Sequence, residues 1–164
     1  MARNISSIPG STKFRSIISI VLIVCCMAIY LVFIEDLELK ADRVARDQVL
    51  TSIRGALAMM LYDYTIKGKL AELDKFDREN PFVPLAIYRS LPSNYRGTIK
   101  SGREGLEPGW YFDLTERVAF FVSLDELVDE YRMVFDYKDA DGNGRFDPRV
   151  DGIGGLNLVC VGCQ

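Results

Sequence analysis

A run of alternating acidic and polar residues near the C-terminus, DADGNGRFDPRVD at residues 139–151, has the residue types of a cation site. Asp139, Asp141 and Asn143 supply side-chain oxygens at alternate positions, and Gly144 follows them. This order matches the first half of a calcium-binding loop, in which a glycine at the sixth position permits the sharp turn. The stretch could therefore hold a hard cation such as Ca²⁺.

The second half of the stretch departs from a full calcium loop. Asp147 falls at the ninth position, where a ligand or a water-bridging group belongs, but the twelfth position holds Val150 instead of a bidentate Glu. Asp151 stands one place later and could substitute for that Glu, with a backbone carbonyl as a further ligand. The candidate calcium ligands are Asp139, Asp141, Asn143, the carbonyl of Arg145, Asp147 and Asp151.

The same stretch also has the composition of a plain hairpin turn. The dipeptides Asp-Gly at 141–142 and Asn-Gly at 143–144 are among those that best favour a tight turn between strands. They lie between two strand-like runs, Tyr131–Tyr137 and Leu156–Val161. The sequence leaves two interpretations open: a bare turn, or a turn that calcium completes.

Four cysteines form two pairs with different expected chemistry. Cys25 and Cys26 lie in an apolar run and are expected to act as small apolar side chains. Cys160 and Cys163 form a C-x-x-C motif that ends a strand-like run. A thioredoxin-type redox motif instead opens a helix beside a βαβ unit, so a small structural disulfide is favoured here over free thiols. Zinc would need two further ligands.

The sequence offers little for catalysis. Histidine is absent, which excludes Ser-His-Asp and Cys-His schemes and His-ligated metals. The GIGG run at 152–155 lacks the G-x-G-x-x-G spacing of a phosphate-binding loop, and no helix is predicted after it. We therefore predict a protein that is not an enzyme and has no small-molecule substrate.

An apolar run of membrane-spanning length lies near the N-terminus. Residues 16–34, SIISIVLIVCCMAIYLVFI, are 19 residues without a charge, about the length that crosses a bilayer core. A cleaved signal peptide usually has a shorter apolar region that ends at a small-x-small site, whereas this run passes directly into Glu35 and Asp36. The pattern favours a retained transmembrane helix.

Charge predicts the orientation of that helix. Arg3, Lys13 and Arg15 precede it, so the positive-inside rule places residues 1–15 in the cytoplasm and the remainder outside. Seventeen of the 20 basic residues and all 23 acidic residues follow the run, which gives the exported part a net charge of −6. Without a basic patch, nucleic acid is not an expected partner.

The sequence pattern after the apolar run predicts an α+β fold. Residues 35–75 have apolar positions at three- and four-residue steps, which predicts a long amphipathic helix that continues the span. A turn-rich segment follows, and residues 76–164 are predicted to form a small antiparallel sheet against the helix. Its strand-like runs are Trp110–Asp113, Val118–Val122, Tyr131–Tyr137 and Leu156–Val161.

Four motifs in this order carry a resemblance to a known family. They are Asn80-Pro81-Phe82, the LPSNYRG run at 91–97, the PGWYFD run at 108–113 and the apolar strand Val118–Val122. The chain from about residue 40 onward resembles the pilin-like biogenesis proteins of the mannose-sensitive haemagglutinin (MSHA) pilus system, the MshF kind. In that family an NP-aliphatic step, a P-x-NY-x-G turn and a WYFD strand follow the long helix.

The resemblance implies a pilin-like fold and an assembly role. The chain would be a structural or accessory component of an MSHA-type type IV pilus or of type II secretion, anchored in the inner membrane by a single span, with its C-terminal domain in the periplasm. Its partners would be other pilins or pseudopilins and the inner-membrane platform proteins. Pseudopilins of similar architecture can carry calcium near the C-terminus.

One feature departs from the prepilin pattern. Prepilins have a cleavage site after Gly and a Glu at the fifth position beyond it, but here Gly10 is followed at that position by Arg15. We therefore predict a protein that prepilin peptidase does not process. The alternative function is a bitopic protein with an exported ligand-binding or sensor domain. A sensor is expected to have a cytoplasmic signalling domain, and about fifteen residues precede the span.

Overall fold

The computed structural model describes residues 11–100, 102–125 and 127–163; the predicted cytoplasmic residues 1–10, with Arg3 and Gly10, lie outside them. The chain divides into two compact units, residues 1–41 and 42–164. In chain order the elements are helix α1 (Ser11–Ile66), a 3-10 helix (Leu70–Phe76), helix α2 (Phe82–Tyr88), and strands β1 (Tyr95–Ile99), β2 (Gly109–Asp113), β3 (Val118–Val122), β4 (Val128–Lys138) and β5 (Gly152–Gly162).

The first unit is helical throughout its described part. Its large apolar side chains, from Ile17 to Phe33, are 49–71% exposed. By length and composition, the structure has one helix among the described residues that could cross a membrane, and it includes this apolar section. This confirms the prediction of one candidate membrane span.

The second unit has its core between one face of α1 and the sheet. Buried residues recur along α1 at the spacing of a helical stripe, as at Leu50, Ile53, Leu57 and Met60. They belong to one cluster with inward-facing side chains of the strands. The strand members of that cluster include Trp110, Phe112, Phe121, Tyr131, Met133, Phe135, Leu156 and Leu158. The predicted α+β class, with a long helix and a sheet, is confirmed.

The sheet is mixed, so the prediction of an antiparallel sheet is wrong in one strand. Its strand order is β1-β2-β3-β4-β5, and β1 pairs with β2 in parallel while the other pairs are antiparallel. The parallel pair requires a crossover, which residues 100–108 supply; its described part, residues 100 and 102–108, contains no helix. Leu106 in this connection packs on Tyr111 and Phe120, on the sheet face opposite the main core. The predicted β2–β3 hairpin is confirmed.

The helical elements differ from the pattern expected for the middle of the chain. The α-helix ends at Ile66, because Gly68 adopts a left-handed φ of 65° and the chain turns there. The segment after Asn80, expected to be irregular, contains the short helix α2. Pro81 and Pro84 are compatible with it because the first turn of a helix needs no intrahelical N–H donors.

The segment between the 3-10 helix and α2 pairs with part of β4 that β3 does not reach. The backbone N–H of Arg78 donates to the Met133 carbonyl at 2.8 Å. The N–H of Phe135 donates to the Asp77 carboxylate at 2.9 Å. These two bonds satisfy backbone groups along the C-terminal half of β4, and Arg78 takes a left-handed φ of 58° to make them.

Candidate functional site

The acidic stretch at residues 139–151 connects β4 to β5, as the hairpin interpretation expected. Phe146 anchors its middle by edge-to-face contacts with Phe135 and Tyr137, at ring-centroid distances of 4.9 and 5.4 Å. Gly142 and Gly144 both adopt a φ of 71°, a conformation that glycine takes without steric cost. The connection is therefore held in place by aromatic packing and by local turn geometry.

Three of the predicted calcium ligands lie together. Asp139, Asp141 and Asp151 each place one carboxylate oxygen so that the three atoms lie within 4.8 Å of one another. Asp151 is buried, Asp139 is half-buried and Asp141 is exposed. Carboxylate oxygen is the donor type that Ca²⁺ prefers, and the cation takes six to eight such ligands at about 2.3–2.6 Å. Asp151, thirteenth in the stretch, is the acid that joins the first two.

The other predicted ligands are engaged within the turn. The Asn143 side chain accepts the Arg145 N–H at 2.7 Å and donates to the Asp141 carboxylate at 2.6 Å. The Asp147 carboxylate accepts the Arg149 N–H at 2.9 Å and is not a member of the acidic group. Asn143 and Asp147 thus contribute to the turn itself, whichever of the two interpretations holds.

The acidic group is partly neutralised by backbone donors. The Asp139 carboxylate accepts the N–H groups of Gly144 and Gly142 at 2.8 and 2.7 Å. The Gly144 bond is the main reason that the pKa of Asp139 lies below its ordinary value. Asp151 accepts the N–H groups of Ala140 and Asp147 at 2.9 and 2.7 Å. Each carboxylate oxygen retains a lone pair, so these bonds leave room for a cation.

The predicted disulfide is present as a bond between Cys160 and Cys163 at the end of β5, with Cα atoms 6.0 Å apart. Cys163 borders a surface groove that Arg103 and Glu130 also line. Cys25 and Cys26 are free and exposed in the first unit.

A second charged cluster, which the sequence did not reveal, surrounds Arg103. The guanidinium forms ion pairs with Glu130, with Glu116 at 2.6 Å and with Asp113 at 3.4 Å. It also lies 4.7 Å from the centre of the Phe120 ring, within cation–π distance. Arg103 therefore holds the connection between β1 and β2 against the sheet. Its acidic partners lie 10–27 residues away in sequence, so no local sequence motif predicts the cluster.

The electrostatics of this cluster favour its charged state. Burial acts to raise the pKa of the Asp113 carboxyl, but the N–H groups of Glu116 and Thr115 and the Arg103 guanidinium outweigh it, and the pKa lies below its ordinary value. Burial acts to lower the pKa of Arg103, and its bond to Glu130 outweighs that effect and raises it. Asp113 is 4% exposed and fully hydrogen-bonded, which is the arrangement expected of a structural carboxylate.

No protein-family model, curated protein or solved structure matches this chain.

A groove of about 330 Å³ lies between α1 and the segment that follows α2. Its polar lining groups are uncharged and include Gln48, Ser52 and Asn94, and its apolar lining includes Val49 and Leu91. The sequence did not single out this groove, because its residues come from two separate stretches of ordinary composition. Its chemistry suits a neutral ligand that forms both hydrogen bonds and apolar contacts.

Proposed function

We propose that this protein is a membrane-anchored, non-catalytic accessory component of a type IV pilus of the MSHA type or of a type II secretion assembly. The observation that carries the proposal is that two sections of α1 have different surroundings. One section of this helix exposes large apolar side chains from Ile17 to Phe33, and a later section, from Val49 to Met60, supplies the helical face of a domain core. A helix that serves as both anchor and core element is the architecture that the pilin-like resemblance implies.

The proposed location is the inner membrane, with the domain in the periplasm. The basic residues before the apolar section and the acids after it support this orientation. A Cys160–Cys163 disulfide agrees with an oxidising compartment. The proposed partners are other pilins or pseudopilins and platform proteins of the inner membrane. The exposed face of α1 in the second unit carries apolar side chains for such contacts, including Val44, Tyr62 and Ile66, each 67–69% exposed.

In this proposal, calcium rigidifies the β4–β5 connection. The convergence of Asp139, Asp141 and Asp151 supports it, because three close carboxylates repel one another unless a cation or hydrogen bonds offset their charge. The ion would serve the shape of the domain surface and no chemical step.

The second candidate function is an exported ligand-binding domain. The 330 Å³ groove beside Gln48, Ser52 and Asn94 favours it, since its volume lies at the lower end of the range for small-molecule sites.

In-cell photo-crosslinking distinguishes these functions. A photo-reactive residue placed at Tyr62 is expected to crosslink to pilins or platform proteins that mass spectrometry identifies. The same residue at Asp125 serves as the control, because the β3–β4 connection lies beside Asp42 of α1, about 30 Å along the helix from Tyr62. If Tyr62 gives no such adducts while the protein is present in the membrane, the assembly function is wrong.

Deletion of prepilin peptidase is expected to leave the mass of the protein unchanged, because Arg15 replaces the Glu of prepilins.

A further inference from the structure

Arg132 on β4 differs from the other half-buried arginines of the second unit. Arg46 and Arg103, with side chains 24% and 26% exposed, each form an ion pair with a carboxylate, Asp129 for the first and Glu130 for the second. Arg132 is also half-buried, but its Nε is enclosed and has no hydrogen-bond partner among the described residues. Buried guanidinium N–H groups nearly always have an acceptor, so Arg132 is the half-buried arginine of this unit whose guanidinium has no carboxylate beside it among the described residues.

The unpartnered arginine lies in a groove of about 460 Å³ on the sheet face opposite the main core. Arg132 pairs in register with Val159 of β5, and the groove is lined further by Val134 and Val161. Val159 and Val161 are 39% and 45% exposed and lie two residues apart on one face of β5. Arg78 also lines the groove but pairs with Asp77, so the groove combines Arg132, a cation without an ion pair among the described residues, with an aliphatic wall.

Three acids close to Arg132 in the sheet or in the groove lining have other partners. Asp77, which also lines the groove, accepts the Phe135 N–H at 2.9 Å and lies 3.5 Å from the Arg78 Nε. Glu130, two residues before Arg132 on the same strand face, pairs with Arg103. Asp136, on the same face, accepts a bond from Asn157 at 3.4 Å. None of these three carboxylates forms an ion pair with Arg132.

We propose that this groove binds a single carboxylate carried on an aliphatic group, with the carboxylate on Arg132 and the aliphatic group against Val159 and Val161. The planar guanidinium matches a carboxylate through two parallel hydrogen bonds. Asp74, Asp77 and Arg78 also line the groove, so its charged side chains sum to zero with Arg132, and a singly charged carboxylate disturbs this balance less than a doubly charged phosphate. The C-terminus of an apolar peptide and a free branched-chain carboxylate share this chemistry. The site is independent of the proposed assembly function.

Calorimetric titration of the full-length protein in lipid nanodiscs tests the site. The probes are N-acetyl-leucyl-valine, its C-terminal amide and isovalerate. The acid forms are expected to bind, and the amide is expected to bind at least tenfold more weakly because it loses the charged hydrogen bonds to Arg132. Tighter binding of the peptide than of isovalerate identifies a chain end as the ligand, and equal binding identifies a small carboxylate; both outcomes support the proposal.

Variants distinguish binding in the groove from nonspecific attraction of the probes to positive charge. Arg132→Gln is expected to weaken binding of the acid peptide at least tenfold, and Val159→Ser severalfold, while Arg54→Gln, an exposed arginine on α1 outside the groove, leaves binding unchanged. Arg132→Lys keeps the charge but lacks the planar guanidinium, and it is expected to give an intermediate loss of affinity for the acid peptide. It also serves if Arg132→Gln fails to fold. Absence of saturable binding, equal binding of acid and amide, or equal effects of Arg132→Lys and Arg54→Gln would overturn the proposal.

Discussion

Asp113 is buried, yet it is held in its charged form by two backbone N–H groups and by Arg103. Its folded-state pKa is lower than the unfolded value of about 3.9. The unfolded chain therefore takes up the proton more readily, and the carboxylate contributes stability that is complete above about pH 5 and is lost as the pH falls through the unfolded pKa and then the folded pKa. The charges that face it are those of Arg103, Glu116 and Glu130.

Asp113→Asn is expected to lower the free energy of unfolding at pH 7 by about 1–3 kcal/mol, because it weakens the bonds to a buried acceptor. The variant is also expected to lose less stability than the wild type between pH 5 and 3. Thermal melts across that pH range measure both effects. Glu107→Gln, at an exposed ion pair with Arg96, is the control. Parallel pH curves for wild type and Asp113→Asn would contradict the assignment.

Arg46 and Asp129 join α1 to β4 through a partly buried ion pair. Arg46→Ala is expected to destabilise the domain by about 1–3 kcal/mol, because Asp129 is 6% exposed and would lose the guanidinium charge of Arg46. Arg54→Ala, an exposed position on the same helix, is expected to change stability by less than about 0.5 kcal/mol. Urea unfolding measures the difference, and restoration of most of the loss by Asp129→Asn in the Arg46→Ala background would show that the loss comes from the Asp129 charge without Arg46 beside it.

At the scale of elements, the proposed calcium site in the β4–β5 connection is testable by its effect on stability. If the ion binds, millimolar calcium is expected to raise the melting temperature of the full-length protein. The gain follows RT ln(1 + [L]/Kd), about 2.7 kcal/mol at a hundredfold excess over Kd. Asp141→Asn is expected to abolish the rise, and Asp125→Asn, outside the acidic group, to preserve it. Unchanged melting with calcium would leave the stretch as a bare turn.

The parallel pairing of β1 with β2 depends on a close backbone approach at Gly109. Its φ is 146°, and a Cβ at this position would lie 2.6 Å from the Asn94 carbonyl oxygen, which accepts the Trp110 N–H at 2.9 Å. Gly97 on β1 has a φ of 106° but open space around it. Gly97→Ala is expected to cost about 1–3 kcal/mol in backbone strain. Gly109→Ala is expected to lower the free energy of unfolding by more than Gly97→Ala does, because its Cβ also clashes with the Asn94 carbonyl oxygen. Chemical unfolding measures both losses, and equal losses would refute the close approach.

Elements with a strong local pattern were predictable from the sequence, and those set by distant contacts were not. The alternation in Tyr131–Tyr137 predicted β4, and the turn dipeptides predicted its connection to β5. Strand β1 was missed because Tyr95–Ile99 contains a glycine and follows turn residues, and its extended form depends on a parallel partner across residues 100–108. The cluster around Arg103 and the groove around Arg132 depend on tertiary contacts in the same way.

For the whole molecule, the apolar section of α1 is expected to determine membrane attachment. Arg near the centre of a span costs about 3 kcal/mol per residue. The double variant Val21→Arg, Val24→Arg is therefore expected to increase the fraction that alkaline carbonate extracts from membranes. Val44→Arg with Thr51→Arg, at exposed positions of the second unit on the same helix, is the matched control and is expected to leave extraction unchanged. Equal extraction of the two variants would argue against a membrane span.

The core places Leu57 of α1 and Leu158 of β5 in one cluster, although about a hundred residues separate them in the chain. At a synthesis rate of about 5–20 residues per second, the ribosome finishes β5 roughly 5–20 s after it has made the α1 stripe. During that interval the stripe is exposed and can associate with any apolar surface nearby. A nascent chain of this kind gains from a holding chaperone in the compartment where the domain folds, and its yield is expected to fall when such a chaperone is limiting.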